Sequence, residues 1–315
     1  MPFTSRSTML GHLLVVLSVA ALTRSTPVIA ADVLFIGNSF TYAYGSAVRT
    51  WRSDIVTDLN SQGIGGIPAL FKAFTLQAGL HYNVALETQG GVGIEWHLKN
   101  KASVIGQQHW DVVVMHGYST LDANKPGDPA ILIASTKQMA EFLARRNPAV
   151  DVRLMATWPR ADLTYENSGA WYGKPIAAMG KDVRAGYDLA ATGTPIVKGV
   201  IPVGEAWMRA MATGVADPNP YDGIEAGKLD LWTHDHYHAS IYGSYLEALV
   251  VFGSLTGRDP RSLGKSECAG FELGLSTEQV SALQQVAFDA LGSNVKSKPS
   301  QSTKPGDLRH CPRSR

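Results

Sequence analysis

Residues 32–41 read DVLFIGNSFT. Val33 to Ile36 form an unbroken apolar run that stops at Gly37, Asn38 and Ser39. A short run with no polar alternation, closed by turn formers, reads as a strand buried on both faces. Gly37 relieves the steric limits of a sharp corner and Asn38 tolerates unusual backbone angles. The strand therefore ends in a tight polar turn with a serine at its tip.

The same pattern recurs along the chain. YNVALET (82–88), DVVVMHG (111–117), DVRLMATW (151–158) and IVKGVIPVG (196–204) read as four more buried strands. Helix-like segments lie between and after them at 68–78, 95–107, after Asp128 and Pro129, at 174–191, at 240–255 closed by Gly257, and at 276–291. The last opens on STEQ, where Ser276 and Gln279 have capping-box spacing. Alternating strands and helices imply right-handed crossovers and a parallel sheet. The expected fold is α/β: a three-layer α/β/α sandwich around a central, mostly parallel five-stranded sheet, flavodoxin-like in form. In such sheets chemistry sits in the crevice at the carboxyl ends of the strands, so functional residues are sought where strands stop.

The chain has 315 residues, 45% of them hydrophobic and 17% charged, with a formal net charge of +1. That supports one substantial domain, read as 31–293, and argues against nucleic acid as a partner. Arg6, the apolar stretch 10–22, and Val28 and Ala30 before Ala31 have the form of an export signal over 1–30. Its apolar part is shorter than the ~20 residues a membrane span needs. The expected mature protein is secreted or periplasmic, without stable membrane insertion. Residues 294–315 are polar and proline-containing and read as a mobile tail. The two cysteines, Cys268 and Cys311, form a disulfide or remain as two unpaired thiols. No P-loop or GxGxxG follows the first strand, and no cofactor is expected.

Ser39 passes the strand-end filter. The segment after it reads as a helix, whose unpaired N–H groups and positive dipole would face an oxyanion formed there. A serine nucleophile needs a base, and LWTHDHYHAS near the far end supplies one. Asp235 and His238 stand three apart just before Ser240 opens a helix, so the carboxylate can hold one imidazole nitrogen while the other faces outward. The same segment offers a rival: in an extended strand His234, His236 and His238 would share one face, as metal ligands can.

A serine just after the first strand, with Asp-x-x-His before the last helices, resembles the SGNH (GDSL-like) hydrolase superfamily. FIGNSFT looks like its first block and DHYHAS like its last, and the likeness runs from about residue 32 to 263. The resemblance is to a secreted bacterial branch with GNSFT at the start, GG…H after the second strand and TW after the fourth, here GGVGIEWH (90–97) and MATWPR (155–160). It implies an ester hydrolase with Ser39 as nucleophile, Asp235 and His238 completing a triad, and an oxyanion hole from the N–H groups of Ser39 and of Gly91 or its neighbour Gly90. One block departs. Where the family has Gly-x-Asn after the third strand, this chain has MHGYST, with Ser119 at the asparagine position and His116 and Tyr118 nearby. Ser119 or His116 is the expected replacement donor, and His97 is a further candidate. The expected substrate is a small-molecule or glycan ester, with O-deacetylation of acylated carbohydrate as the first choice by resemblance. The missing asparagine keeps open a carbohydrate-binding protein on a decayed hydrolase fold, with Trp96, Trp158, Trp171 and Trp207 either stacking on sugars or filling the core.

Overall fold

The computed structural model describes residues 1–3, 30–166 and 168–292. The expected export signal lies almost wholly outside these residues, and the C-terminal tail and Cys311 lie wholly outside them.

The strands are β1 (Ala31–Gly37), β2 (Thr57–Asp58), β3 (Tyr82–Thr88), β4 (Val112–Met115), β5 (Asp151–Met155) and β6 (Val197–Ile201). They form one sheet in the order β2-β3-β1-β4-β5-β6, with every pairing parallel. The sheet has six strands rather than the expected five. The extra strand, β2, is two residues long, too short for any period to reveal it. It is held by its ladder to β3 and by the Asp58 carboxylate, which accepts the N–H groups of Asn60, Gln62 and Ile64.

The helices are α1 (Gly66–Gln77), α2 (Ile94–Ile105), α3 (Ala130–Ala144), α4 (Ile176–Thr192), α5 (Val203–Ala212), α6 (Ile241–Thr256), α7 (Cys268–Glu272) and α8 (Thr277–Leu291). α5 occupies the end of a stretch read as strand. Pro202 stops β6, and the chain turns into helix at Val203. Ser240 caps α6 by accepting from Gly243 N, and Gly257 closes it at φ +66°. The capping box at Ser276 and Gln279 is present at the start of α8.

Alternation along β1 explains the three layers. Val33 and Phe35 enter one hydrophobic cluster with Phe71 and Phe74 of α1, Trp207 of α5, Leu249 of α6 and Leu283 of α8. Leu34 and Ile36 enter the other, with Ile105 of α2, Met139 of α3 and Val183 of α4. β1 is apolar throughout because both its faces are buried. β3 and β4 flank it on opposite sides, so the connections leaving these strands diverge around the end of β1. This is the switch point at which open α/β sheets bind ligands. Among the described residues no helix is long and apolar enough to cross a membrane. Cys268 is buried at the start of α7 and is not a free thiol.

One buried group in α6 makes stability depend on pH. Glu247 is fully buried, and neither carboxylate oxygen has a partner among the described residues. Burial pushes its carboxyl well above the usual carboxylate range. Above the unfolded value of about 4.3 the unfolded chain ionises there while the folded one stays protonated. This group therefore lowers stability as pH rises. Glu247→Gln is expected to remove that slope, so its melting temperature should gain on wild type between pH 5 and pH 8. Melting curves whose difference stays constant over that range would show that Glu247 does not titrate this way.

Candidate active site

Ser39 lies two residues beyond β1, buried to 7% exposure. The turn that carries it differs from expectation. No α-helix follows, and α1 begins only at Gly66. Instead residues 38–46 fold on themselves: Tyr42 N donates to Asn38 O, Tyr44 N to Ser39 O, and Phe40 N to the Asn38 side chain. Ala43 and Gly45 take positive φ to close the loop. A helix dipole is therefore not available to an oxyanion at Ser39. What remains is geometric: the backbone N–H groups of Ser39 and Gly91 have no partner among the described residues.

Asn38 joins the loops around Ser39. Its amide nitrogen donates to Val92 O in the loop after β3 and to Gly117 O in the loop after β4. The three connections leaving β3, β1 and β4 are thereby pinned to one another. Gly91 sits in the first of these loops at φ +72°, a conformation suited to glycine. At Gly90 an added Cβ would fall 2.6 Å from Tyr42 Oη, so its neighbour packs directly on the Ser39 turn.

Asp235 and His238 come together as their spacing suggests. His238 Nδ1 lies 2.7 Å from Asp235 Oδ2, and the other carboxylate oxygen accepts from Thr233 Oγ1 and from the N–H groups of Tyr237 and His238. Burial alone would push the Asp235 carboxyl up, but these bonds hold it well below the usual carboxylate range. Because Asp235 Oδ2 can only accept, Nδ1 of His238 carries the proton and Nε2 of the neutral ring is the acceptor. The His238 ring packs against residues of the serine turn, 5.8 Å from Phe40 and 4.8 Å from Tyr44 between centroids. Burial lowers its pKa below 6.5 despite the neighbouring Asp235.

The other histidines have different work. His116 is buried, with Nδ1 donating to Gly117 O and Nε2 accepting from Thr41 Oγ1 at 2.8 Å. Burial drives its pKa down to about 4, in keeping with a neutral ring. Both nitrogens are committed, so His116 anchors the serine turn on β4 and leaves no donor for the oxyanion that the sequence reading gave it. His97 is also fully buried, bonded through Nδ1 to Glu87, and its Nε2 has no partner among the described residues. His234, His236 and His238 do not share a face. His236 takes φ +52° and turns its ring onto Tyr221 at 4.4 Å, and His234 lines a separate cavity beside Gly45. The positive φ breaks the alternation on which the metal-ligand reading depended. Among the described residues no group of three potential ligands converges.

Trp158, Trp171 and Trp207 are buried, and Trp158 stacks between Phe40 and Trp207 at 3.9 and 4.6 Å. All three are core, and Trp158, stacked on Phe40, supports the serine turn. An exposed aromatic beside the site is instead Tyr44, against the His238 ring. Sequence reasoning passed over Asn38 and Thr41 as binders of neighbouring loops, and Arg160 altogether. Arg160 stands at the end of the quoted MATWPR block, just past β5, where the strand-end filter would have reached it.

The clamp under the turn is tight. A Cβ added to Gly37 would lie 2.1 Å from Thr41 Oγ1 and 2.5 Å from His116 Nε2, atoms already bonded to each other. Gly37→Ala is therefore expected to destabilise the fold by about 1–3 kcal/mol, the usual cost of overpacking. It should also slow any reaction at Ser39 by displacing the turn. A urea midpoint and an activity both equal to wild type would refute the clamp.

No family model matches the sequence, and no curated protein matches it. Among solved structures, the fold is similar to a DUF4886 family protein from Bacteroides uniformis, with a TM-score of 0.58, 17% identity, and 86% of this chain and 98% of that one covered. It is similar to a protein described as a GDSL-like lipase from Parabacteroides merdae, at TM-score 0.50 and 15% identity over 72% of this chain and 95% of that one. A protein described as an SGNH hydrolase from Slackia heliotrinireducens aligns at TM-score 0.48 and 19% identity, over 72% of this chain and the whole of that one. The chain has the fold of the SGNH (GDSL-like) hydrolases. At these identities the likeness is one of fold, and the chemistry rests on the residues themselves.

Proposed function

We propose that this protein is an exported serine-dependent ester hydrolase. The observation that carries the reading is the Asp235–His238 pair packed against the turn that bears Ser39. Ser39 Oγ attacks the ester carbonyl carbon, its proton passes to His238 Nε2, and the carbonyl π pair moves onto oxygen. Collapse of the tetrahedral intermediate expels the alcohol, which takes the proton from His238. A water then repeats the sequence on the acyl-enzyme, releasing the acid and restoring Ser39. Asp235 holds the tautomer and stabilises the imidazolium. Ser39 Oγ makes no hydrogen bond among the described residues. On this reading substrate binding draws the Ser39 hydroxyl onto His238 Nε2.

The oxyanion is held by the N–H groups of Ser39 and Gly91 and by the hydroxyl of Ser119. Support for a carbohydrate ester comes from Tyr44, a residue 44% exposed whose ring lies 4.8 Å from that of His238. An exposed aromatic face beside the base suits the apolar face of a sugar, with the phenol hydroxyl still wet. Labelling with a fluorophosphonate followed by peptide mapping tests the nucleophile without knowledge of the natural ester, and acetate release from acetylated oligosaccharides tests the substrate class. Label on Ser39 with no acetate release would retain the mechanism and discard the sugar. Absence of label, together with no turnover of simple aryl esters, would discard the mechanism and leave a binding protein.

A further inference from the structure

Arg160 reaches the hydroxyl of Ser119 in the loop after β4. It follows β5, and its guanidinium is oriented from three sides. Nε donates to Asp162 Oδ1 at 3.0 Å and Nη2 donates to Asp162 Oδ2. The plane lies over the Tyr237 ring at 3.5 Å, and Nη1 donates to Ser119 Oγ at 3.4 Å. Tyr237 in turn packs 4.0 Å from the His238 ring. A continuous line of contacts thus joins Ser119 to the base. Ser119 stands two residues beyond Gly117, whose carbonyl is tied to the serine turn through Asn38.

The hydrogen-bond count at Ser119 determines what this arrangement does. A hydroxyl has one proton and two acceptor sites. Ser119 accepts from Arg160 and donates to nothing among the described residues. Its proton is uncommitted, and the N–H it accepts belongs to a cation. A hydroxyl that accepts a charge-assisted bond is polarised into a stronger donor. Asp162 compensates the charge of Arg160, so the guanidinium is poorly suited to clamping an acidic substrate. The fork on Asp162 instead fixes the direction of Nη1, as a lysine could not.

We infer that Arg160 is a positioning residue of the oxyanion hole, holding and polarising the Ser119 hydroxyl so that the pair replaces the absent asparagine. The inference rests on the serine-hydrolase reading above. Removal of one oxyanion donor costs about 100- to 1,000-fold. Ser119→Ala should therefore slow turnover by about 100-fold, and Arg160→Met by about 10-fold or more, each acting on kcat with KM held within about twofold. Because Arg160 acts through Ser119, the double variant should be no slower than Ser119→Ala alone, within about threefold.

The experiment measures ester turnover and the rate of fluorophosphonate labelling at Ser39 for wild type, the two single variants, the double variant and Arg160→Lys, with folding checked by circular dichroism. Arg160→Lys keeps the charge without the fork and should recover only part of the rate. If Arg160→Met does not fold, Arg160→Lys takes its place: it must slow the reaction when Ser119 is present and change nothing in Ser119→Ala. Wild-type rates in a folded Arg160 variant, losses that multiply in the double variant, or a loss confined to KM would each overturn the role. A wild-type protein that is neither labelled at Ser39 nor active would instead remove the hydrolase reading on which it stands.

Discussion

Ser39→Ala is expected to abolish turnover while leaving the fold intact. In a triad enzyme, loss of the nucleophile costs on the order of a million-fold in kcat, enough to leave only the background assisted by the oxyanion hole. Stability should change little. The Ser39 hydroxyl makes no hydrogen bond among the described residues, and the turn around it is held by main-chain bonds and by Asn38, Thr41 and His116. The discriminating measurement is paired: turnover of an activated ester and thermal melting on the same preparation. A variant that melts like wild type and retains its rate would end the acyl-enzyme mechanism. The same preparation should take no fluorophosphonate at the mapped peptide.

His238→Ala should be nearly as severe, and the double variant with Ser39→Ala little worse than either. Proton transfer and attack are one event, so each loss removes the same step and the costs do not multiply. Asp235→Asn should cost about 10,000-fold, because an amide can donate to Nδ1 and so favour the wrong tautomer. The pH profile carries the sign of the His238 shift. Burial lowers its pKa beneath 6.5, while Asp235 opposes that shift. The neutral base is the active form, so kcat/KM should be level at neutral pH and fall on acidification through a midpoint below 6.5. A midpoint above 6.5, or losses that multiply in the double variant, would mean that His238 is not the base.

Much of the fold was legible because its strands are buried on both faces. DVLFIG and YNVALET are apolar where two helical layers need them to be, and five of the six strands could be read from that alone. The capping signals at Ser240, Ser276 and Gly257 mark helix ends through bonds made within a few residues. β2 and α5 were not legible. The first is two residues long, and the second starts one residue past Pro202 inside an apolar run with no change of period. The turn after β1 was misread for a similar reason. Its Gly-Asn-Ser corner can open a helix or fold back on itself, and the choice falls to the contacts of Asn38 with Val92 and Gly117.

The site divides along the same line. Asp235 and His238 are three residues apart, so their bond is a local property, and the sequence determined that pair by itself, along with the strand end that carries Ser39. The roles of His116, Ser119 and Arg160 depend on partners 41 to 75 positions away. A histidine after a strand can donate to an oxyanion or anchor a turn. Which it does depends on whether Thr41 and the Gly117 carbonyl reach its two nitrogens first, and that is decided only when the loops leaving β1 and β4 close on each other. The histidines of HDHYH show the same limit. Their spacing permits one shared face, but a positive φ at His236 separates them, and that angle is imposed by the Thr233–His238 loop closing on Asp235.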